Sequence, residues 1–262
     1  MVRVRVVQHS GLRRRALRRR VLWGGGEVLA TVGVVLLLLV VHQVWWTNRE
    51  AREGAEREVR ALERTWDEGG GDARTAVQAA TATPEPGAEP QPRSTERAAG
   101  SRRQSAAAPS ADWSQAYAIL TIPRLHLRVP VAEGVSKSGV LDKGYVGHYP
   151  GTQQPGQAGN FALAGHRNTH GEPFRYINRL ARGDTVRVET RSATYTYAVD
   201  RTLARTAAHD GSVIGPVPRS TVRPGHGYTE PGYYLTLTTC TPEYTSKYRL
   251  VVWGKLVSMR PR

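Results

Sequence analysis

YYLTLTTCTPEYTSKYRLVVWG, Tyr233 to Gly254, reads as two apolar runs around a polar turn. The first alternates apolar residues with Thr, the pattern of a β-strand with one buried face, and ends on Cys240. The second, YRLVVWG, is rich in β-formers and carries Arg249 at its head. If residues 241–248 form a hairpin-like loop, the strands are neighbours and Arg249 comes to lie beside Cys240. Cys240 is the single cysteine of the chain.

Working outward, the same grammar recurs from Trp113 onward. YAILTI and LRVPVAEG read as strands broken by Pro123 and Pro130. NFALAGHR, TVRVETR and TYTYAVDR follow, each bounded by Gly, Pro or Asp. Short β runs at this spacing predict an all-β sandwich or barrel. Only EPFRYINRLA, Glu172 to Ala181, has helical periodicity, and residues 209–232, rich in Pro, Gly and Ser, read as a long loop. The folded domain is assigned to residues 113–262, long enough to bury a core.

The N-terminal part has a different character. Residues 1–20 hold eight Arg and no acid, and form a basic cytoplasmic tail. The nineteen residues Val28 to Trp46 carry no charge. A helix of about 20 apolar residues spans the bilayer hydrocarbon, so residues 21–47 are read as a transmembrane anchor. Lys and Arg collect on cytoplasmic flanks, which predicts a single-pass protein with its N-terminus inside and its folded domain outside. The apolar run is longer than the about 7–15 residues of a cleavable signal and ends in bulky VWWTNRE, so an uncleaved signal anchor is expected.

Residues 48–112 form the connection. Residues 48–68 interleave Arg and Glu at helical spacing, with Val59, Leu62 and Trp66 as a thin apolar stripe, and predict a juxtamembrane helix. From Gly69 the chain turns to Gly, Ala, Pro, Ser and Thr and reads as a flexible spacer that lacks the apolar content to fold. The net charge of +15 includes +10 on residues 113–262. Outside the membrane such a domain faces anionic wall polymers or phospholipid-like head groups, and no nucleic acid is expected as a partner.

A lone cysteine in an exported domain is unusual, because that compartment favours pairing. A thiol attacks as thiolate, and its ordinary pKa of about 8.5 falls beside positive charge. Arg249 supplies such a charge and can hold an oxyanion, but it cannot act as a base. That task usually falls to His. Of eight His, His9 and His42 lie in the tail and the anchor, while His126, His209 and His226 sit in Pro-, Arg- or Gly-rich contexts. His166 ends the strand NFALAG and has a rigid base; His148 and His170 are weaker candidates.

TLTTC at the end of a strand, Arg nine residues later, and an earlier NFALAGHR resemble the bacterial sortases, membrane-anchored cysteine transpeptidases. GHYPGT (Gly147 to Thr152), PGQAGNFALAGHR (Pro155 to Arg167) and LTLTTCTP (Leu235 to Pro242) look most like the class E branch of actinobacteria. The resemblance covers about residues 115–257. It implies a mainly β fold: a closed eight-stranded β-barrel with one or two short helices and its site at one rim. It makes Cys240 the nucleophile, His166 the general acid/base and Arg249 the oxyanion and positioning residue. Thr239 would line the substrate groove, and Tyr149 would touch the sorting motif.

The implied substrates are secreted proteins with a C-terminal LAxTG- or LPxTG-type signal, cut between Thr and Gly. The implied acceptor is the amine of a lipid-linked peptidoglycan precursor. No cofactor and no metal are expected. Residues 210–232 are longer than the family pattern suggests, which leaves substrate preference less defined than chemistry. A pilin-polymerising member of the family is the nearest alternative, although those usually carry a lid and a second membrane segment. A noncatalytic wall-binding module is the alternative outside it. A metal hydrolase built on His166 and His170 is set aside, because Gly165, Asn168 and Gly171 argue against a helix and no third ligand is evident.

Overall fold

The computed structural model describes residues 10–80 and 115–262. The start of the basic tail (1–9) and the spacer residues 81–112, with Trp113, lie outside the described residues. The chain divides into two compact units, residues 1–47 and 48–262. Helix α1, Ser10–Ala80, is continuous past Gly69, where the composition predicts a spacer. In the first unit the side chains from Val28 to Trp46 are turned outward with little cover, as suits a helix long and apolar enough to cross a membrane.

The second unit is a closed barrel in the order β1-β2-β3-β4-β7-β8-β6-β5, with β5 pairing back onto β1. The strands are β1 (Ala116–Ile122), β2 (Leu127–Glu133), β3 (Val146–His148), β4 (Gly159–Ala164), β5 (Thr185–Thr190), β6 (Ala193–Ala207), β7 (Tyr233–Thr241) and β8 (Tyr248–Pro261). β2 with β3 and β4 with β7 run parallel; the other neighbours are antiparallel. Closure gives every strand a neighbour on both sides over at least part of its length.

Alternation assigns the faces. Phe161 and Leu163 of β4, Leu235 and Leu237 of β7, and Leu250 and Val252 of β8 enter the barrel core. Asn160, Ala162 and Ala164, then Thr236, Thr238 and Cys240, therefore face outward. Pro130 does not break β2: β3 reaches only Val131 to Glu133, so one side of the strand is open at Pro130, where a missing N–H is tolerated. The helical periodicity of 172–181 resolves into a single 3₁₀ turn, Ile177–Arg179. Its apolar residues Phe174, Ile177 and Leu180 recur every three positions and plug the barrel core, which suits a 3₁₀ turn rather than an α-helix.

The juxtamembrane part of α1 is not a free charged rod. Ala51, Ala55, Val59 and Trp66 are buried at helical spacing against Ala116, Ile119, Ala132, Val140 and Tyr145. Gly144, at φ +81, makes this possible, since a Cβ there would stand 2.8 Å from the Ala51 carbonyl oxygen.

The 209–232 loop builds a second core on the outside of the barrel. Val213 and Tyr228 join Leu203, Tyr234, Val251 and Trp253. The Val213 carbonyl accepts from Trp253 Nε1 at 3.0 Å. At its base, buried Asp210 accepts from the hydroxyls of Thr206, Ser212 and Ser220. Burial raises the Asp210 pKa, but these hydroxyls and the Thr221 N–H outweigh it and hold the carboxyl below its ordinary 3.8. A depressed folded value contributes stability that is complete above the unfolded value and lost as pH falls through the folded one. Asp210→Asn is therefore expected to cost about 2 kcal/mol at pH 7. In thermal melts the gap to wild type should close as pH falls below 3.8.

Candidate active site

The site forms where β4, β7 and β8 end together. Cys240 stands opposite Arg249 in the β7–β8 register, which puts their Cβ atoms about 5 Å apart. β4 lies on the other side of β7, with Ala164 beside Thr238. Beyond the strand end the pairing continues: the Gly165 N–H donates to the Thr238 carbonyl at 3.2 Å, and the Thr239 hydroxyl donates to the Gly165 carbonyl at 2.8 Å. His166 lies two residues past Ala164, as Cys240 lies two past its partner Thr238. Gly165 is required there, because a Cβ would lie 2.8 Å from the Phe174 ring.

Cys240, His166 and Arg249 are each partly exposed. Cys240 is half-buried and unpaired. Arg249 Nη1 donates to the carbonyls of Ser246 and Tyr248 at 2.9 and 3.0 Å. Its Nε and Nη2 have no protein partner among the described residues. His166 Nε2 lies 2.7 Å from Asp142 Oδ1. A carboxylate oxygen accepts, so Nε2 carries the proton and Nδ1 presents its lone pair.

Two predicted residues are placed differently from each other. Tyr149 stays on the outer face, its hydroxyl 3.1 Å from Thr238 Oγ1. Thr239 is buried, by alternation on the side of Leu237, and its hydroxyl donates to the Gly165 carbonyl. Thr236 and Thr238 lie on the outer face and are buried as well. His148 is buried between Glu133, at 2.6 Å, and the Phe161 ring, a structural position.

Residues not singled out in the sequence tie the site together. Buried Arg167 donates to the Cys240 carbonyl at 3.2 Å and the Thr241 hydroxyl at 2.9 Å, and its other nitrogen lies 3.6 Å from Glu243. The GHR triplet already marked it by position. Glu172, also buried, accepts from Asn48, Arg52 and Arg175 at 3.0, 3.1 and 2.7 Å. The loop after His166 is thus pinned to α1 on one side and, through Arg175, faces the β7–β8 turn on the other. Removing one partner of a buried ionic cluster leaves uncompensated charge. Glu172→Ala is expected to lower stability by about 3 kcal/mol and to reduce activity with Cys240 unchanged, checked by melting and turnover together.

The closed barrel sets a thiol opposite a guanidinium at the end of β7, with an imidazole just past the end of neighbouring β4. The profile of the sortase domain matches residues 120–257, and the chain belongs to the sortase family. It is 42% identical over 242 residues to Sortase SrtE1 of Streptomyces coelicolor, covering 90% of this chain. The chain spans 57% of the length of that relative. Sortase SrtE2 of the same organism is 30% identical over 237 residues, which are 88% of this chain and 80% of that protein. The crystal structure of S. coelicolor Sortase E1 with a tripeptide in the active site superposes with a TM-score of 0.54 at 52% identity, covering 57% of this chain and 92% of that one. Sortase E from Streptomyces avermitilis gives a TM-score of 0.50 at 40% identity, over 57% of this chain and 92% of that one. The fold is thus the eight-stranded sortase barrel, and class E sortases are among its relatives.

Proposed function

We propose that this chain is a membrane-anchored cysteine transpeptidase that cuts an LAxTG- or LPxTG-type sorting signal between Thr and Gly. The observation that carries the reading is the convergence of Cys240, His166 and Arg249 on one outward-facing strand end. In the first half-reaction the Cys240 thiol gives its proton to His166 Nδ1, and the resulting thiolate forms a C–S bond to the Thr carbonyl carbon. The developing oxyanion is held by the unpartnered Nε and Nη2 of Arg249. His166 gives its Nδ1 proton to the leaving Gly nitrogen as the C–N bond breaks, and a thioacyl-enzyme remains. Asp142 holds the opposite ring nitrogen, which fixes the tautomer and the ring orientation.

In the second half-reaction an acceptor amine attacks the thioester carbonyl. His166 Nδ1 takes the amine proton, the C–S bond breaks, and the thiolate returns. The acceptor is the amine of a lipid-linked peptidoglycan precursor, and the donors are secreted proteins bearing the signal. Ala162 and Thr238 on the outer face of β4 and β7 are themselves covered, so the peptide is expected to meet the enzyme at the strand end, beside half-buried Cys240. The 209–232 loop covers the same face at Thr236, whose hydroxyl donates to the Val213 carbonyl. A tripeptide occupies the active site of the 52% identical relative, which supports a peptide substrate. The apolar helix anchors the chain, with the Arg-rich tail in the cytoplasm and the barrel outside the cell membrane.

The test is incubation with LAxTG and LPxTG peptides in the presence of hydroxylamine. A hydroxamate ending on the Thr, with release of the Gly fragment, is expected. Cleavage elsewhere, or no hydroxamate, would refute the reading.

A further inference from the structure

The loop that carries His166 brings a second imidazole beside it. His170, with φ at 51°, sets its ring 5.4 Å from the His166 ring, centroid to centroid. Asp142, within the 3₁₀ turn Leu141–Lys143, reaches both. Its Oδ1 lies 2.7 Å from His166 Nε2 and 3.6 Å from His170 Nδ1. That His170 nitrogen is shielded from solvent and has no hydrogen-bond partner among the described residues. The three donor atoms all lie within 4.8 Å of one another. The HxxxH spacing is visible in the chain, but the third donor comes from a turn 24 residues before His166.

We propose that Asp142, His166 and His170 form a site for a borderline transition-metal ion such as Zn²⁺, and that filling it switches the enzyme off. Two imidazoles and one carboxylate suit Zn²⁺, Ni²⁺ or Cu²⁺, whereas Ca²⁺ and Mg²⁺ seek oxygen donors throughout. Zinc–ligand bonds of about 2.0–2.1 Å in a tetrahedron separate donor atoms by about 3.3 Å. The 2.7 and 3.6 Å separations bracket that distance and the third pair lies within 4.8 Å, so the site closes with shifts on the order of 1 Å. A fourth position stays open, as in sites that keep an exchangeable ligand.

The metal would take the Nε2 lone pair and leave the neutral ring's one proton on Nδ1, so Nδ1 could not accept the thiol or amine proton, and giving up its own would leave an imidazolate. The inhibitory consequence rests on the acyl-transfer reading; the metal site itself does not.

The experiment titrates Zn²⁺ by calorimetry into the full chain in detergent, as the Cys240→Ala variant, which removes the competing thiol. One equivalent is expected to bind, with Ca²⁺ and Mg²⁺ giving no comparable heat. Adding His170→Ala or Asp142→Asn should each weaken Zn²⁺ binding at least tenfold. In turnover assays Zn²⁺ should inhibit the wild type reversibly, with recovery on chelation. His170→Ala should keep its basal turnover and need at least tenfold more Zn²⁺ for inhibition. Absence of binding in Cys240→Ala, or equal binding in both double variants, would overturn the site. Tight binding that leaves wild-type turnover intact would overturn the switch, and with it the acid/base role of His166.

Discussion

Cys240→Ala is expected to lower peptide cleavage by about 10⁴-fold or more, since removing a nucleophile costs about as much as removing the whole catalytic set. Binding and fold should survive. Cys240 is half-buried on the outer face rather than in the core, so no cavity forms and melting should shift by less than about 1 kcal/mol. Turnover, peptide binding and thermal melting measured on one preparation separate the outcomes. Residual cleavage near the wild-type rate would show that another group attacks the carbonyl. A large loss of stability would show that the thiol is a packing residue.

Arg249→Ala is expected to lower kcat by about 10²–10³-fold, the range for loss of one oxyanion donor. KM should move far less if Arg249 is the oxyanion donor, because such a donor meets charge that appears only in the transition state. Arg249→Lys restores a positive charge but not the planar fork, so it should recover only part of the loss. Steady-state kinetics with a sorting-signal peptide decides this. Equal changes in KM and no change in kcat would make Arg249 a ground-state binding residue instead.

The strands that carry the site were legible from alternation in LTLTTC and from β-formers in RLVVW, whose two faces are both apolar because the barrel covers one and the 209–232 loop the other. The hairpin between them sets Arg249 opposite Cys240, as the register shows. The same alternation, carried one residue further, also assigns Thr239: Leu235 and Leu237 face inward, so Thr239 does too. β3 was hidden because three residues inside a Gly- and Pro-rich stretch carry no period. Glu172 to Ala181 has a period near three that mimics a helix but reflects a 3₁₀ turn plugging the barrel. The packing of α1 was understated because Ala51 and Ala55, the small residues that allow close approach, look neutral among Arg and Glu. Asp142 left no trace in the linear order, since its meeting with His166 is created by the turn after β2 and by nothing local.

The most direct measurement acid-quenches the enzyme during turnover of a sorting-signal peptide and maps the modified fragment by mass spectrometry. The account predicts an acyl group ending on the substrate Thr, attached at Cys240 and removed by hydroxylamine. An acyl group on a different residue, or product formed while Cys240 stays unmodified and dispensable, would contradict it.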